Sequence, residues 1–202
     1  VEDRRENLVA CFHSRDQSVS LEGAFDANAK LIGLAADIVA DVGAYSCYPT
    51  TCGVEPLMAM AEMPGPYDVR EYACVSRGVV TNTCPMAPYR GVSRPVITFT
   101  IERLMDKAAA AFGLDPMEIR RRNLVRTFPY TSATGLVFDE ATYVETMEAA
   151  VKAVGVPVPD DSGLFPPLED LFHDLMVGPC SPEEVAAWAA NPWVQAVGSP
   201  EP

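Results

Sequence analysis

Between residues 8 and 45, hydrophobic and polar positions alternate in steps of two. Val19, Leu21 and Gly23 are interleaved with Ser20 and Glu22, the spacing that puts successive side chains on opposite faces of a strand. Asp26-Ala27-Asn28-Ala29 interrupts the pattern, and an apolar run from Leu31 to Val42 follows. Asp and Asn cap their own backbone amides and tolerate left-handed backbone, so the interruption reads as the turn of a β-hairpin. Its second strand ends at Asp41-Val42-Gly43-Ala44-Tyr45. A short helix, Leu57–Met63, is expected next, opened by Gly53-Val54-Glu55-Pro56 and stopped by Pro64-Gly65-Pro66. Residues 69–81 are β-branched enough for a further strand. Residues 83–95 hold Pro85, Pro88, Gly91 and Pro95, which forbid regular structure.

The period changes beyond that loop. Ile97, Ile101, Leu104, Met105, Ala108 and Phe112 recur at helical spacing. A helix over 97–112 follows, with Gly113 as its C-cap. Asp115-Pro116-Met117-Glu118 combines an N-cap, a first-turn proline and an acidic third position, and opens a second helix from Pro116 to about Val125. A third is expected over 140–153, with Tyr143, Met147, Ala150 and Val151 inward. The fold class read from this pattern is α+β: a β-hairpin-rich sheet packed with helices.

Composition divides the chain. No Lys or Arg follows Lys152, and residues 156–202 carry half of the 18 prolines and both tryptophans. We read 1–155 as one domain and 156–202 as an irregular Pro-rich acidic tail. Ser181-Pro182-Glu183-Glu184 would open a short helix there, Val185–Ala190. Phe165, Leu168, Leu171, Phe172, Leu175, Met176, Trp188 and Trp193 could dock on another surface or cover the chain's own core.

A net charge of −13 argues against a nucleic acid or an anionic membrane as partner, since both need clustered cations. No run approaches the roughly 20 apolar residues that span a bilayer. The six cysteines show no Cys-x-x-Cys pair and read as free, mostly buried thiols of a cytoplasmic protein. His13 reads as a strand-surface residue and His173 as a tail residue. Arg120-Arg121-Arg122 reads as a solvated helix face.

The loop 83–95 carries the chemistry. Gly91 lets a ligand approach the backbone, and the amides leading into the following helix point toward the loop. Arg90 offers a planar fork of donors for a carboxylate, phosphate or oxo group. On spacing alone, an Arg-Gly in a loop is more often structural.

The ordered motifs narrow this. Thr81-Asn82, Pro85, Tyr89-Arg90-Gly91 and Arg94-Pro95 come first. Glu102-Arg103 with Asp106 follows, then Gly113-Leu114-Asp115-Pro116, Glu118, Arg120 and Asn123-Leu124. With Val1-Glu2-Asp3-Arg4-Arg5-Glu6, Gly43-Ala44-Tyr45, Gly65-Pro66-Tyr67 and Pro129-Tyr130, this series resembles the molybdopterin-binding subunit of the xanthine oxidase, aldehyde oxidase and carbon monoxide dehydrogenase family over about residues 1–155.

The resemblance implies a molybdenum hydroxylase that oxidises an aldehyde, N-heterocycle or similar small substrate, with water as oxygen source. Its cofactor would be a molybdenum pterin, in the cytosine dinucleotide form. Electrons would leave through iron–sulfur and flavin subunits or domains. Arg90 would orient substrate or stabilise negative charge developing on it. Backbone of Tyr89, Gly91 and Val92 would contact the pterin. Gly91 stands where the copper-dependent carbon monoxide dehydrogenases have cysteine, which argues against that chemistry. Pro88 replaces the usual alanine, and Val96-Ile97 replaces Glu-Ala. The family's Gly-Gly-Phe-Gly segment, its cofactor-holding glutamine and its Gly-Glu general base are not in this sequence. On this reading the chain needs the remainder of the subunit and binds no cofactor alone. The other readings are a truncated interaction module, or one part of a split enzyme.

Overall fold

The computed structural model describes residues 1–48, 51–154 and 177–179. Helix α1 spans Arg4–Ala10, where Asp3 accepts the Arg5 and Glu6 N–H groups and Glu6 reaches back to the Asp3 N–H. The strand pattern expected from residue 8 therefore begins later, because this reciprocal cap satisfies orphan amides and favours a helical turn. Strands β1 (Gln17–Phe25) and β2 (Leu31–Gly43) form the expected hairpin, in register from Gln17 opposite Ala40 to Ala24 opposite Gly33, with a shift of one residue before Phe25 opposite Leu31. The turn falls at Asp26 because its carboxylate accepts the Asn28 and Lys30 N–H groups at 2.8 and 2.9 Å.

Helix α2 spans Val54–Glu62, and strand β3 spans Glu71–Val80. β3 runs parallel to β2. A parallel neighbour needs a crossover, which α2 supplies. Helix α3, Arg94–Phe112, starts three residues earlier than the apolar period indicated, because Pro95 fits the first turn of a helix. Helix α4 covers Pro116–Asn123, with Asp115 accepting the Met117 and Glu118 N–H groups. A small hairpin, β4 (Tyr130–Thr131) and β5 (Val137–Phe138), leads into α5, Tyr143–Val154. Strand β6, Val177–Pro179, lies parallel to Gly23–Phe25, so the sheet order is β3-β2-β1-β6. The segment read as an irregular tail thus contributes a strand. Its expected helix, its apolar docking residues, His173 and Cys180 lie outside the described residues.

The pleat places Leu21, Phe25, Leu34 and Ile38 on one face, all fully buried, against Ile97, Ile101, Leu104 and Met105 of α3. Each such side chain contributes roughly 1.5–3 kcal/mol by leaving water. α3 approaches β1 so closely that a Cβ on Gly23 would sit 2.9 Å from Leu104 Cδ2. On α5, Tyr143 and Met147 pack on the core as expected. Val144 joins them, whereas Ala150 is exposed.

The arginine run is a solvated face only in part: Arg122 is exposed, whereas Arg120 turns inward. Arg120 is half-buried between α4 and α3, where it donates to Glu102 Oε2 at 2.7 Å and Asp106 Oδ1 at 2.9 Å. The Tyr67 hydroxyl donates to the other Glu102 oxygen, and burial together with that carboxylate pushes the phenol far up. Arg121 binds Glu148 of α5, while Arg122 reaches Glu118 and the Asn28 carbonyl. The run joins three helices and the hairpin turn. Of the described cysteines only Cys74 is buried; Cys11 is exposed and the others are half-buried, which corrects the reading of mostly buried thiols. His13 is exposed and bridges to Met86 at the edge of the fold. Among the described residues no helix is long and apolar enough to cross a membrane.

Candidate active-site loop

The segment from β3 to α3 is anchored at its base by Asp41. That carboxylate accepts the Gly43 N–H at 2.7 Å and the Thr81 and Thr83 hydroxyls at 2.8 and 2.9 Å. Partial burial alone would raise its pKa, but these bonds favour the ionised form and hold it below the usual carboxylate range. A lowered folded pKa means that the anchor is complete above the unfolded value, about 4, and is lost as pH falls through the lowered value. Gly43 and Thr83 amide shifts followed through acid titration should move below pH 4, not above it. A midpoint above that value would remove Asp41 as the anchor. Gly43 itself lies at φ +73, and a Cβ there would meet the Cys84 carbonyl oxygen at 2.3 Å. The loop's first residues therefore lie directly on the end of β2.

Further along, the Val92 N–H donates to the Tyr89 carbonyl at 2.7 Å and the Arg94 N–H to the Gly91 carbonyl at 3.0 Å. Two consecutive residues have left-handed backbone, Gly91 at φ +94 and Val92 at φ +51. A β-branched residue costs of order 1–3 kcal/mol there, a strain that recurs at functional sites. The turn lifts Tyr89 and Arg90 into solvent, with Tyr89 67% exposed. Among the described residues no carboxylate pairs with the Arg90 guanidinium, and neither the Arg90 nor the Gly91 N–H has a partner. Arg94, by contrast, is taken by Glu62. Unsatisfied donors on a glycine turn fit an anionic, oxygen-rich group such as a pterin phosphate or oxo ligand. The four residues read from the sequence, Tyr89, Arg90, Gly91 and Val92, thus form one exposed turn rather than an enclosed pocket.

The supports of this turn come from far away in sequence and were not read from it. Arg15 donates through Nε to the Val92 carbonyl at 3.1 Å and through a terminal nitrogen to the Arg90 carbonyl at 2.5 Å. Its guanidinium lies 5.1 Å from the centre of the Tyr89 ring, within cation–π reach. Glu55 accepts the Arg15 N–H at 2.9 Å and is only 5% exposed. Ser93, wholly buried, donates to the Glu55 carbonyl at 2.7 Å and receives Gln17 Nε2 at 2.8 Å. It therefore leaves the N-terminus of α3 without a side-chain cap. Among the described residues Gln17 Oε1 and Glu55 Oε1 are buried there without partners, an exception among native buried polar groups, nearly all of which are paired.

Comparison with known proteins identifies the family. The family described as Molybdopterin cofactor-binding domain matches residues 1–124. The nicotine 6-hydroxylase large subunit of Paenarthrobacter nicotinovorans is 40% identical over 158 residues, covering 78% of this chain and 19% of that subunit. The carbon monoxide dehydrogenase large chain of Hydrogenophaga pseudoflava is 33% identical over 162 residues, covering 78% and 20%. Among solved structures, quinoline 2-oxidoreductase from Pseudomonas putida 86 superimposes with a TM-score of 0.74 at 36% identity, covering 77% of this chain and 20% of that one. The chain spans about a fifth of the length of these relatives. By sequence and fold, the chain belongs to the molybdopterin cofactor-binding domain family and corresponds to part of the large subunits it matches.

Proposed function

We propose that the subunit containing this chain hydroxylates a ring carbon of an aromatic N-heterocycle, with water as the oxygen source. The observation that carries this reading is the exposed Arg90 fork, unpaired among the described residues, on the left-handed turn at Gly91 and Val92. Two of the relatives matched here are named for nicotine and quinoline, both N-heterocycles, and this supports the substrate class over an aldehyde. Glycine rather than cysteine after the arginine supports the copper-free reaction.

Hydroxylation of an electron-poor ring places negative charge on the ring nitrogen as the oxygen adds. On this reading the Arg90 donors orient that nitrogen and stabilise the charge. The Tyr89, Gly91 and Val92 backbone carries the cofactor contacts, because a glycine turn lets a large group approach the main chain. When bound, a molybdenum pterin, here assigned its cytosine dinucleotide form, supplies the two-electron oxidation. Iron–sulfur and flavin partners take the electrons onward, and the assembly belongs in the cytoplasm. The general base and the Gly-Gly-Phe-Gly segment belong to the rest of the subunit.

The test is to isolate the chain from its own cells in whatever assembly it occupies. Metal analysis and oxidation of quinoline in 18O-labelled water should give molybdenum and singly labelled product. An assembly without molybdenum, or with unlabelled product, would sink the proposal.

A further inference from the structure

The sequence marks Arg90 as the functional cation, but the structure puts a second arginine beneath it. We propose that Arg15 is the positioning residue of the site, setting the Tyr89–Val92 turn and thereby where Arg90 points. This rests on the reading of Arg90 as the ligand-facing group.

One Arg15 side chain touches three of the four turn residues. It donates to the Arg90 carbonyl at 2.5 Å and to the Val92 carbonyl at 3.1 Å, and it lies over the Tyr89 ring at 5.1 Å. The two carbonyls flank Gly91, so a planar fork spanning them fixes the dihedrals on both sides of it. Those are the dihedrals held at φ +94 and φ +51. A valine does not rest in that region unless its surroundings over-determine it.

Arg15 is itself held. Its backbone adopts φ +67, and its N–H is fixed to the buried Glu55 carboxylate of α2 at 2.9 Å. Glu55 in turn is tied through its carbonyl to Ser93, the residue after the turn. The segment before β1, the start of α2 and the start of α3 therefore meet at one side chain. No carboxylate among the described residues pairs with the Arg15 guanidinium; its charge is spent on carbonyl dipoles. It therefore stays net positive beneath Arg90, which favours an anionic occupant above the turn.

The test uses the whole 202-residue chain with residue-resolved amide hydrogen exchange. Arg15→Lys and Arg15→Met should speed exchange at the Val92 and Arg94 amides by at least roughly tenfold, with strand amides of β1 and β2 unchanged. Lysine should fail to rescue, because one ammonium keeps the charge but cannot span two carbonyls. The Tyr89 ring proton shifts should move in both variants as the guanidinium leaves the ring. Restored protection with lysine, or unchanged Val92 and Arg94 exchange, would overturn the proposal. Arg90→Ala should leave the exchange pattern as it is, so that the positioning role and the ligand role of Arg90 fail separately. If neither Arg15 variant folds, trypsin decides on the unmodified chain. The Arg90–Gly91 bond should survive while the bonds after Arg4 and Arg5 are cut. Rapid cutting after Arg90 would count against a pinned turn.

Discussion

Asn123→Ala is expected to be the most destabilising single truncation in the helical half of the chain, by about 2–5 kcal/mol. Asn123 is wholly buried at the end of α4. Its Oδ1 accepts the Leu31 N–H at 2.6 Å, and its Nδ2 donates to the Ala29 carbonyl at 2.9 Å and the Ile119 carbonyl at 2.8 Å. Leu31 and Ala29 are each 1% exposed, so water cannot replace the lost partner. Two backbone groups at the hairpin turn would be orphaned, and each such group costs roughly 1–3 kcal/mol. For a chain of this length the melting temperature should fall by about 10 °C. Asn123→Asp should do no better, since a carboxylate keeps the Leu31 bond but cannot donate to Ala29. The neighbouring Arg122→Ala removes only solvent-facing bonds to Glu118 and the Asn28 carbonyl and should cost under about 1 kcal/mol. Equal melting temperatures for Asn123→Ala and Arg122→Ala would show that the turn is not held this way.

Asn123 also shows where sequence reading stops. Local rules placed the hairpin turn, the caps at Asp115 and Gly113, and the helix that ends at Asn123, because each depends on residues within a few positions of one another. The partner of Asn123 lies 92 residues away, and no periodicity records that. The reading of Arg120 failed for the same reason. Three consecutive cations on a short polar helix look solvated, until α3 places Glu102 and Asp106 against Arg120. The parallel pairing of β3 with β2 and the return of Val177–Pro179 to the sheet edge are likewise properties of topology. At the site, the irregular loop was legible from its three prolines and glycine, but not the left-handed turn at Gly91 and Val92. Nor were the supports of that turn. Arg15, Gln17 and Glu55 carry no motif of their own, and Ser93 differs from any loop serine only in what it meets. A pair of unsatisfied residues, Gln17 and Glu55, becomes visible only once burial is known.

Arg90→Ala, made in the molybdenum-containing assembly, is expected to lower kcat/KM for an N-heterocyclic substrate by roughly 10²–10³, the loss seen when one donor to a developing charge is removed. The split between constants distinguishes two roles. If Arg90 binds ground state and transition state alike, KM rises and kcat holds. If it meets charge that appears only as the ring is attacked, kcat and kcat/KM fall together. The exposed, unpaired fork favours the second, because no carboxylate among the described residues has to be released before the donors can respond. Arg90→Lys should recover little, since a single ammonium on a shorter side chain lacks the planar fork. Molybdenum content should stay near that of the unmodified assembly, because the cofactor contacts assigned to this turn come from the Tyr89, Gly91 and Val92 backbone rather than the Arg90 side chain. Loss of metal in Arg90→Ala would reassign the arginine to holding the cofactor. Unchanged kcat/KM would remove it from the reaction, while leaving the turn beneath it, with Val92 at φ +51, still needing the support of Arg15.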